Sequence, residues 1–389
     1  MYRFICYDND ICIKLVFIII QGVKGKMDKK IQYTPLEWAK KACDALMAKF
    51  EPEQLPPDRF HYHQGVFLSG MEKCWRESKE EKYYTYLKRW VDSLILPDGS
   101  IKKYNADELD DIQPGILLFN LYEQTGDERY KTALYTLVPL LKSWKTNEEG
   151  GFWHKGRYPN QMWLDGLYMA GPIATQFAST FNEPEYFDMI TFQAILMHQH
   201  TKDEKTGLLY HGWDQSKEAP WADPETGKAP EFWGRAIGWY PVAVLDMLDY
   251  LPKDHKDRNV LIEILKDLLV ALPKFQDEKT GLWYQVVDKG HEPDNWLENS
   301  CSSLFVYAMA KAVRMGYLDE KYLQYAWKGY EGVIDTLTFD EKGHVVIGNI
   351  CIGTGIGDYP HYIARPTSEN DLHGAGAFIL MCVEMSKCK

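Results

Sequence analysis

Apolar residues recur along the chain at the three- and four-residue spacing of an α-helix rather than in strict alternation. The periodicity predicts twelve helices, at about 36–50, 63–77, 81–95, 112–124, 127–144, 161–180, 184–200, 232–249, 256–275, 298–314, 318–334 and 370–386. Short polar turns join some neighbours, as in TGDERY at Thr125–Tyr130 and around Gly316. Longer Gly- and Trp-rich connections join others, and four of these look alike: EEGGFWH (148–154), EKTGLLYHGW (204–213), EKTGLWYQV (279–286) and EKGHVVIG (341–348). Each couples a turn signal to a few apolar or aromatic residues that suit a short strand or an extended loop. Their spacing of roughly 60 to 75 residues makes the unit a helix pair plus a loop. Six pairs predict an all-α (α/α)6 toroid, with inner helices lining a funnel and the long loops on one rim. An open helical solenoid and two packed helical domains are the alternatives. The Pro-containing stretches at 251–255 and 359–366 are short and lie beside apolar or aromatic segments, so residues 27–389 are expected to form a single domain.

Composition adds limits. A hydrophobic content of 45% over 389 residues is ample for a sizeable core. Aromatics reach 14%, with 13 Trp and 25 Tyr, a density that lines a carbohydrate groove or fills a large core. A net charge of -12 with no basic cluster excludes a nucleic-acid partner, although one local Arg or His can still receive an acidic ligand. The 8 Cys are scattered without a CxxC, the pattern of free thiols in a reducing compartment. The tract ICIKLVFIII, Ile11–Ile20, is too short for a membrane span. Asp8 and Asp10 precede it where a signal peptide carries basic residues, and no AxA-like site follows. Residues 1–26 are therefore expected to be an N-terminal extension or a start-site artefact, with Met27 as the alternative start. No membrane association is expected, and a cytoplasmic location is favoured over a secreted or periplasmic one.

The least bland segment is PNQMWLDGLYMA, Pro159–Ala170. Asn160 is a candidate N-cap, which places Asp165 within an apolar helical run. A lone carboxylate there costs stability unless it is paired or its raised pKa is used. Asp165 reads as a general acid, with Trp163 and Met169 forming its desolvating wall. The blander reading is an Asp hydrogen-bonded to a nearby Trp or Tyr. Upstream, LDDIQPG offers Asp110 and Asp111. Either can cap a helix or turn into the funnel as a base or substrate-orienting carboxylate, and residue chemistry leaves that choice open.

His211 in LLYHGWD and His154 in GFWHKGRYP occupy corresponding rim positions, each a structural His or a donor to a sugar oxygen or carboxylate. Arg235 lies between Trp233 and Trp239 in FWGRAIGWY and needs an anionic or hydrogen-bonding partner. That partner is a protein Asp, or a ligand carboxylate gripped bidentately while the tryptophans stack on a sugar. His61-x-His63 and His198-x-His200 have no third ligand at telling spacing, so no zinc site is assigned. GTGIGDYP, Gly353–Pro360, lacks the context of a dinucleotide fingerprint and reads as a loop near substrate, supported by His361 and His373.

Carried by HYHQGVFLSG, LDDIQPG, GGFWHKGRYPNQMWLDGLYMAGP, TGLLYHGWD, FWGRAIGWY, TGLWYQV and HGAGAF, the sequence resembles the unsaturated rhamnogalacturonyl hydrolases of glycoside hydrolase family 105. More distantly it is similar to the unsaturated glucuronyl hydrolases of family 88. The resemblance covers essentially residues 33–386 and leaves out the first 26. It implies an (α/α)6 catalytic domain, no metal or organic cofactor, and an acidic oligosaccharide substrate left by a pectin lyase. That substrate carries a 4,5-unsaturated galacturonate at its non-reducing end, linked to rhamnose. The family's two aspartates match Asp165 and Asp110, and its rim residues match His154, His211, Trp233, Arg235 and Trp239. With Trp163 these make up the candidate site; Asp111 has no matched role.

The resemblance also implies the reaction. The C4–C5 double bond is a vinyl ether, so a proton given to C4 by Asp165 leaves positive charge on C5. Water activated by the conjugate base attacks C5, and the hemiketal opens to release the aglycone. Two other classes fit the same toroid. One is a conventional two-carboxylate glycosidase that delivers water to C1. The other is a non-catalytic scaffold that binds sugar or protein.

Overall fold

The computed structural model describes residues 33–388, so the extension expected at 1–26 lies outside the described residues. Every stretch of helical periodicity is a helix: α1 Pro35–Lys49, α2 Tyr62–Ser78, α3 Glu81–Leu94, α4 Ile116–Thr125, α5 Glu128–Leu137 and α6 Leu164–Phe181. They continue as α7 Glu185–Thr201, α8 Gly234–Leu248, α9 Arg258–Ala271, α10 Asn299–Arg314 and α11 Leu323–Thr336. A short α12, Tyr359–Ile363, precedes the last long helix, α13 Leu372–Met385.

Helices α2, α4, α6, α8, α10 and α13 form an inner ring in which each touches the next and α13 packs against α2. That last contact closes the toroid and excludes the open solenoid. Burial follows position: every residue of inner α13 is buried. Outer α3 buries only Tyr83, Tyr86, Leu87, Trp90, Val91 and Leu94, a stripe at helical spacing. Prolines account for two early helix ends. Pro139 and Pro273 have no N–H to donate, and the backbone tightens into 3-10 turns at Pro139–Ser143 and Leu272–Phe275.

The recurring rim loops are tight hairpins, as their turn signals predict. In two of them an Asp side chain accepts the N–H of the Thr three residues on, Asp203 from Thr206 and Asp277 from Thr280. The next residue, Gly207 or Gly281, has φ 77°, a conformation that favours glycine. Bridges at Thr146–Phe152 and Lys202–Leu209 and a short strand pair, Thr338–Phe339 with Val345–Val346, close three of these loops. A further bridge of this kind, Ile95–Ile101, was not legible in LPDGS because that loop lacks the aromatic run.

One predicted helix start is wrong, and it matters for the site. Gln161–Trp163 is not helical but forms a strand, β1, antiparallel to β2 at Gly212–Asp214. Asn160 sits at φ 63° and caps nothing, and α6 begins at Leu164, whose N–H goes to the carbonyl of His211. Asp165 therefore lies in the first turn of α6, not in mid-helix. Among the described residues, no helix is long and apolar enough to cross a membrane. No disulfide forms there either: Cys43, Cys74, Cys301, Cys351 and Cys382 are buried free thiols, and Cys388 is partly exposed.

Candidate active site

The inner helices all begin at the same end of the ring, and most of the candidate residues stand there. Tyr62 opens α2, Asp165 and Arg235 lie in the first turns of α6 and α8, and His373 in that of α13. Asp110 occupies a 3-10 turn, Leu109–Asp111, just before α4. The positive ends of several helix dipoles thus lie at this end of the ring, a setting that favours an anion.

Asp165 is the partly open carboxylate at this end. Its Oδ2 lies 3.1 Å from His211 Nε2, and His211 Nδ1 lies 2.7 Å from the Tyr362 hydroxyl. Burial is the largest influence on Asp165 and opposes its charge, but His211, His154 and Arg235 together outweigh it and hold the carboxyl below its ordinary range. The free protein thus carries Asp165 ionised, contrary to the raised pKa expected from its apolar sequence surroundings. Burial also keeps His211 toward its neutral form, against the pull of Asp165. The neighbouring imidazole of His154 is pushed down to about 4, again chiefly by burial.

The two adjacent carboxylates part company. Asp110 pairs with Lys155 and lies 3.5 Å from His154 Nε2. Burial raises its pKa, but His154 and Lys155 prevail and hold it at about 2. Asp111 turns the other way, accepting from Arg59 Nη2 at 2.7 Å and the backbone N–H of Asn105 at 2.9 Å, with His61 Nδ1 2.6 Å away. Neither side chain caps a helix. Glu108 completes the network with Lys155 and Arg157.

Aromatic rings wall the site. Trp163 stacks with both His154, at 4.6 Å, and Tyr158, at 5.0 Å. Trp233 stacks on Tyr362 and leans over His211, so it backs the histidine. Trp239 is buried deeper in the ring, stacked on Tyr168 at 4.5 Å, and neither Trp233 nor Trp239 presents a free face to a sugar. Arg235 pairs with no Asp among the described residues. Its two terminal nitrogens donate to the backbone carbonyls of Cys351 and Ile352, the second at 2.7 Å, and its guanidinium lies 4.4 Å from the Trp233 ring centroid.

Those carbonyls immediately precede the GTGIGDYP segment, which lies over the site. A Cβ on Gly212 would meet Ile356 at 2.7 Å, and one on Gly355 would be 3.7 Å from Trp163. Arg365 takes the Gly353 carbonyl, and His373 Nε2 lies 3.1 Å from that of Cys351. Tertiary packing also gives His61 and His63 the acidic company their spacing lacks, as His61–Glu108–Asp110 and His63–Asp371–His373. His200 instead stacks on Trp213 and faces Glu149. The sequence reading missed Lys155, whose only signal was its place beside His154, and Tyr362, which had none. A cavity of about 740 Å³ opens elsewhere, from Gln113 and Tyr168 down to Asp249 and Tyr250 at the C-terminal ends of the inner helices.

Residues 38–389 match the profile of Glycosyl Hydrolase Family 88. A glycoside hydrolase from family 105 of C. acetobutylicum ATCC 824 superposes with a TM-score of 0.87 at 38% identity, over 90% of this chain and 99% of that one. The unsaturated rhamnogalacturonyl hydrolase of Bacillus subtilis is 27% identical over 301 residues, covering 75% of this chain and 79% of its own. The unsaturated glucuronyl hydrolase of Bacillus sp. GL1, with 16% identity and a TM-score of 0.69 over 90% of this chain and 96% of that one, shares the fold.

Proposed function

The chain belongs to the glycoside hydrolases of families 88 and 105, and from that premise we propose that it removes a 4,5-unsaturated galacturonate from rhamnogalacturonan-derived oligosaccharides. Unsaturated galacturonyl-rhamnose is the simplest such substrate. The observation that carries the choice of reaction is the unequal state of the two carboxylates. A conventional glycosidase needs two carboxyl groups free to exchange protons or attack carbon. Asp110 is tied up in an ion pair with Lys155 and lies 3.5 Å from His154, so it is not free for that work. Asp165 is left as the proton-active carboxyl, and alkene hydration needs one.

The substrate itself supplies what the free protein withholds from Asp165. Burial is the largest influence on this carboxyl, and it is outweighed only by His211, His154 and Arg235. A uronate carboxylate entering beside the helix N-termini offsets that positive field and displaces water, so burial prevails and Asp165 takes up a proton. Asp165 gives that proton to C4. The positive charge on C5 is shared with the ring oxygen, and Asp165, now a carboxylate, takes a proton from the water that bonds to C5. The hemiketal opens, the C1–aglycone bond breaks with proton transfer to the departing alcohol, and a 4-deoxy-5-keto uronate remains. Asp110, held ionised, accepts hydrogen bonds from sugar hydroxyls, while His154 and the Trp163 stack form the wall.

The reading takes residues 27–389 as one catalytic domain acting on imported pectin fragments in the cytoplasm. Its test is the ultraviolet absorbance of unsaturated galacturonyl-rhamnose in ¹⁸O water. Loss of absorbance with label at C5 is the expected result; label at C1 of a cleaved saturated analogue, with the alkene intact, overturns it in favour of a conventional glycosidase.

A further inference from the structure

The hydroxyl of Tyr362 has one proton and two neighbours. It accepts the N–H of Gly357 at 3.3 Å, which leaves its own proton for His211 Nδ1 at 2.7 Å. Burial holds the phenol well above the usual tyrosine range, so it remains a donor. With Nδ1 accepting, a neutral imidazole carries its hydrogen on Nε2, where it is donated to Asp165 Oδ2. The reversed tautomer would set the Nε2 lone pair against the ionised carboxylate. Asp165 Oδ1 accepts no hydrogen bond among the described residues, so it is the oxygen left free.

Tyr362 is itself held from three sides. Its ring stacks on Trp233 at 5.7 Å, its carbonyl accepts from Gln285 Nε2 at 3.2 Å, and its hydroxyl is tied to the glycine segment over the site. The other charged or titratable groups around His211 are Asp165 from α6, Arg235 from α8, His154 from its rim loop and His361 from α12.

We propose that Tyr362 is a positioning residue that acts through His211, fixing the Nε2–H tautomer and so reserving Asp165 Oδ1 to give the proton to C4 and then take one from the water that bonds to C5. The inference rests on Asp165 being the acid and base of the proposed hydrolysis. It also ties that acid to the covering segment, because one hydroxyl contacts both Gly357 and His211.

The test uses the full chain as wild type, Tyr362→Phe, His211→Asn and the double variant. In wild type, imidazole ¹⁵N shifts assigned by their loss in H211N should show His211 Nε2 protonated and Nδ1 bare. Y362F should leave the melting temperature nearly unchanged, raise the share of His211 protonated on Nδ1 above that of wild type, and lower kcat by roughly tenfold or more with KM within about twofold. In the H211N background, the same Tyr362 change should cost no further kcat. A wild-type His211 protonated on Nδ1 overturns the proposal without any variant. So does an equal loss of kcat from Y362F in both backgrounds, which would place its action in the covering segment. If wild type leaves the alkene intact, the proposed function fails, and the ¹⁵N spectra still decide the tautomer.

Discussion

Lys155 closes on Asp110 inside the ring, and this buried pair separates the roles of the two candidate carboxylates. Replacing Lys155 by Met strips Asp110 of its main cation and leaves a buried charge with His154 at 3.5 Å. Destabilisation of about 3–5 kcal/mol is expected at neutral pH, the cost of removing one partner of a buried pair. Asp110 has a lowered folded pKa, so its contribution is present above the unfolded value and is lost as pH falls from about 4 toward about 2. The variant should therefore show a smaller drop in melting temperature than wild type over that acid window. Parallel curves would mean that Lys155 does not set the charge of Asp110.

Asp165→Asn keeps the size of the side chain and removes its proton chemistry. A fall in kcat of about 10³-fold or more is expected, with substrate affinity by calorimetry within a few-fold of wild type. Near-normal turnover on the unsaturated disaccharide would remove Asp165 from the mechanism.

The pH profile should split between free and bound enzyme. In free protein the Asp165 carboxyl lies below its ordinary range, and substrate charge raises it in the complex. Because kcat/KM reports free enzyme and kcat reports the complex, the alkaline limb of kcat should lie at higher pH than that of kcat/KM. A methyl-esterified substrate brings no carboxylate, so the gap should shrink. Coincident limbs for the acid substrate would refute the substrate-induced shift.

Arg235→Ala removes the charged donor from the carbonyls of Cys351 and Ile352, which among the described residues keep only His373 Nε2 and the Thr354 hydroxyl. A hydrogen bond from a charged group contributes about 1.5–3 kcal/mol, so the melting temperature should fall and cleavage by protease within 352–358 should accelerate. KM should rise for charged and esterified substrates alike, since the guanidinium holds the covering segment. Loss confined to the charged substrate would instead make Arg235 the carboxylate clamp.

The helices were legible in the sequence because their cause is local. Outer α3 carries a stripe at helical spacing, inner α13 is apolar on every side, and each pattern is written within a few turns of chain. The rim hairpins were legible for the same reason, since an Asp and a Gly four residues on specify the turn by themselves. The sequence also placed Asp165, Asp110, His154 and His211 together, through motifs rather than through any visible contact. What it could not supply is pairing between distant segments. Gln161–Trp163 looks helical until Gly212–Asp214 takes its backbone hydrogen bonds, and that pairing moves Asp165 to a helix start. Asp110 and Asp111 are chemically identical neighbours, and only the arrival of Lys155 at one and Arg59 at the other tells them apart. Tyr362 stands 151 residues beyond His211 and had no local mark at all. Local periodicity determined the fold of this chain; charge state, tautomer and partner at its centre were decided by groups that only the closed ring brings within hydrogen-bonding distance.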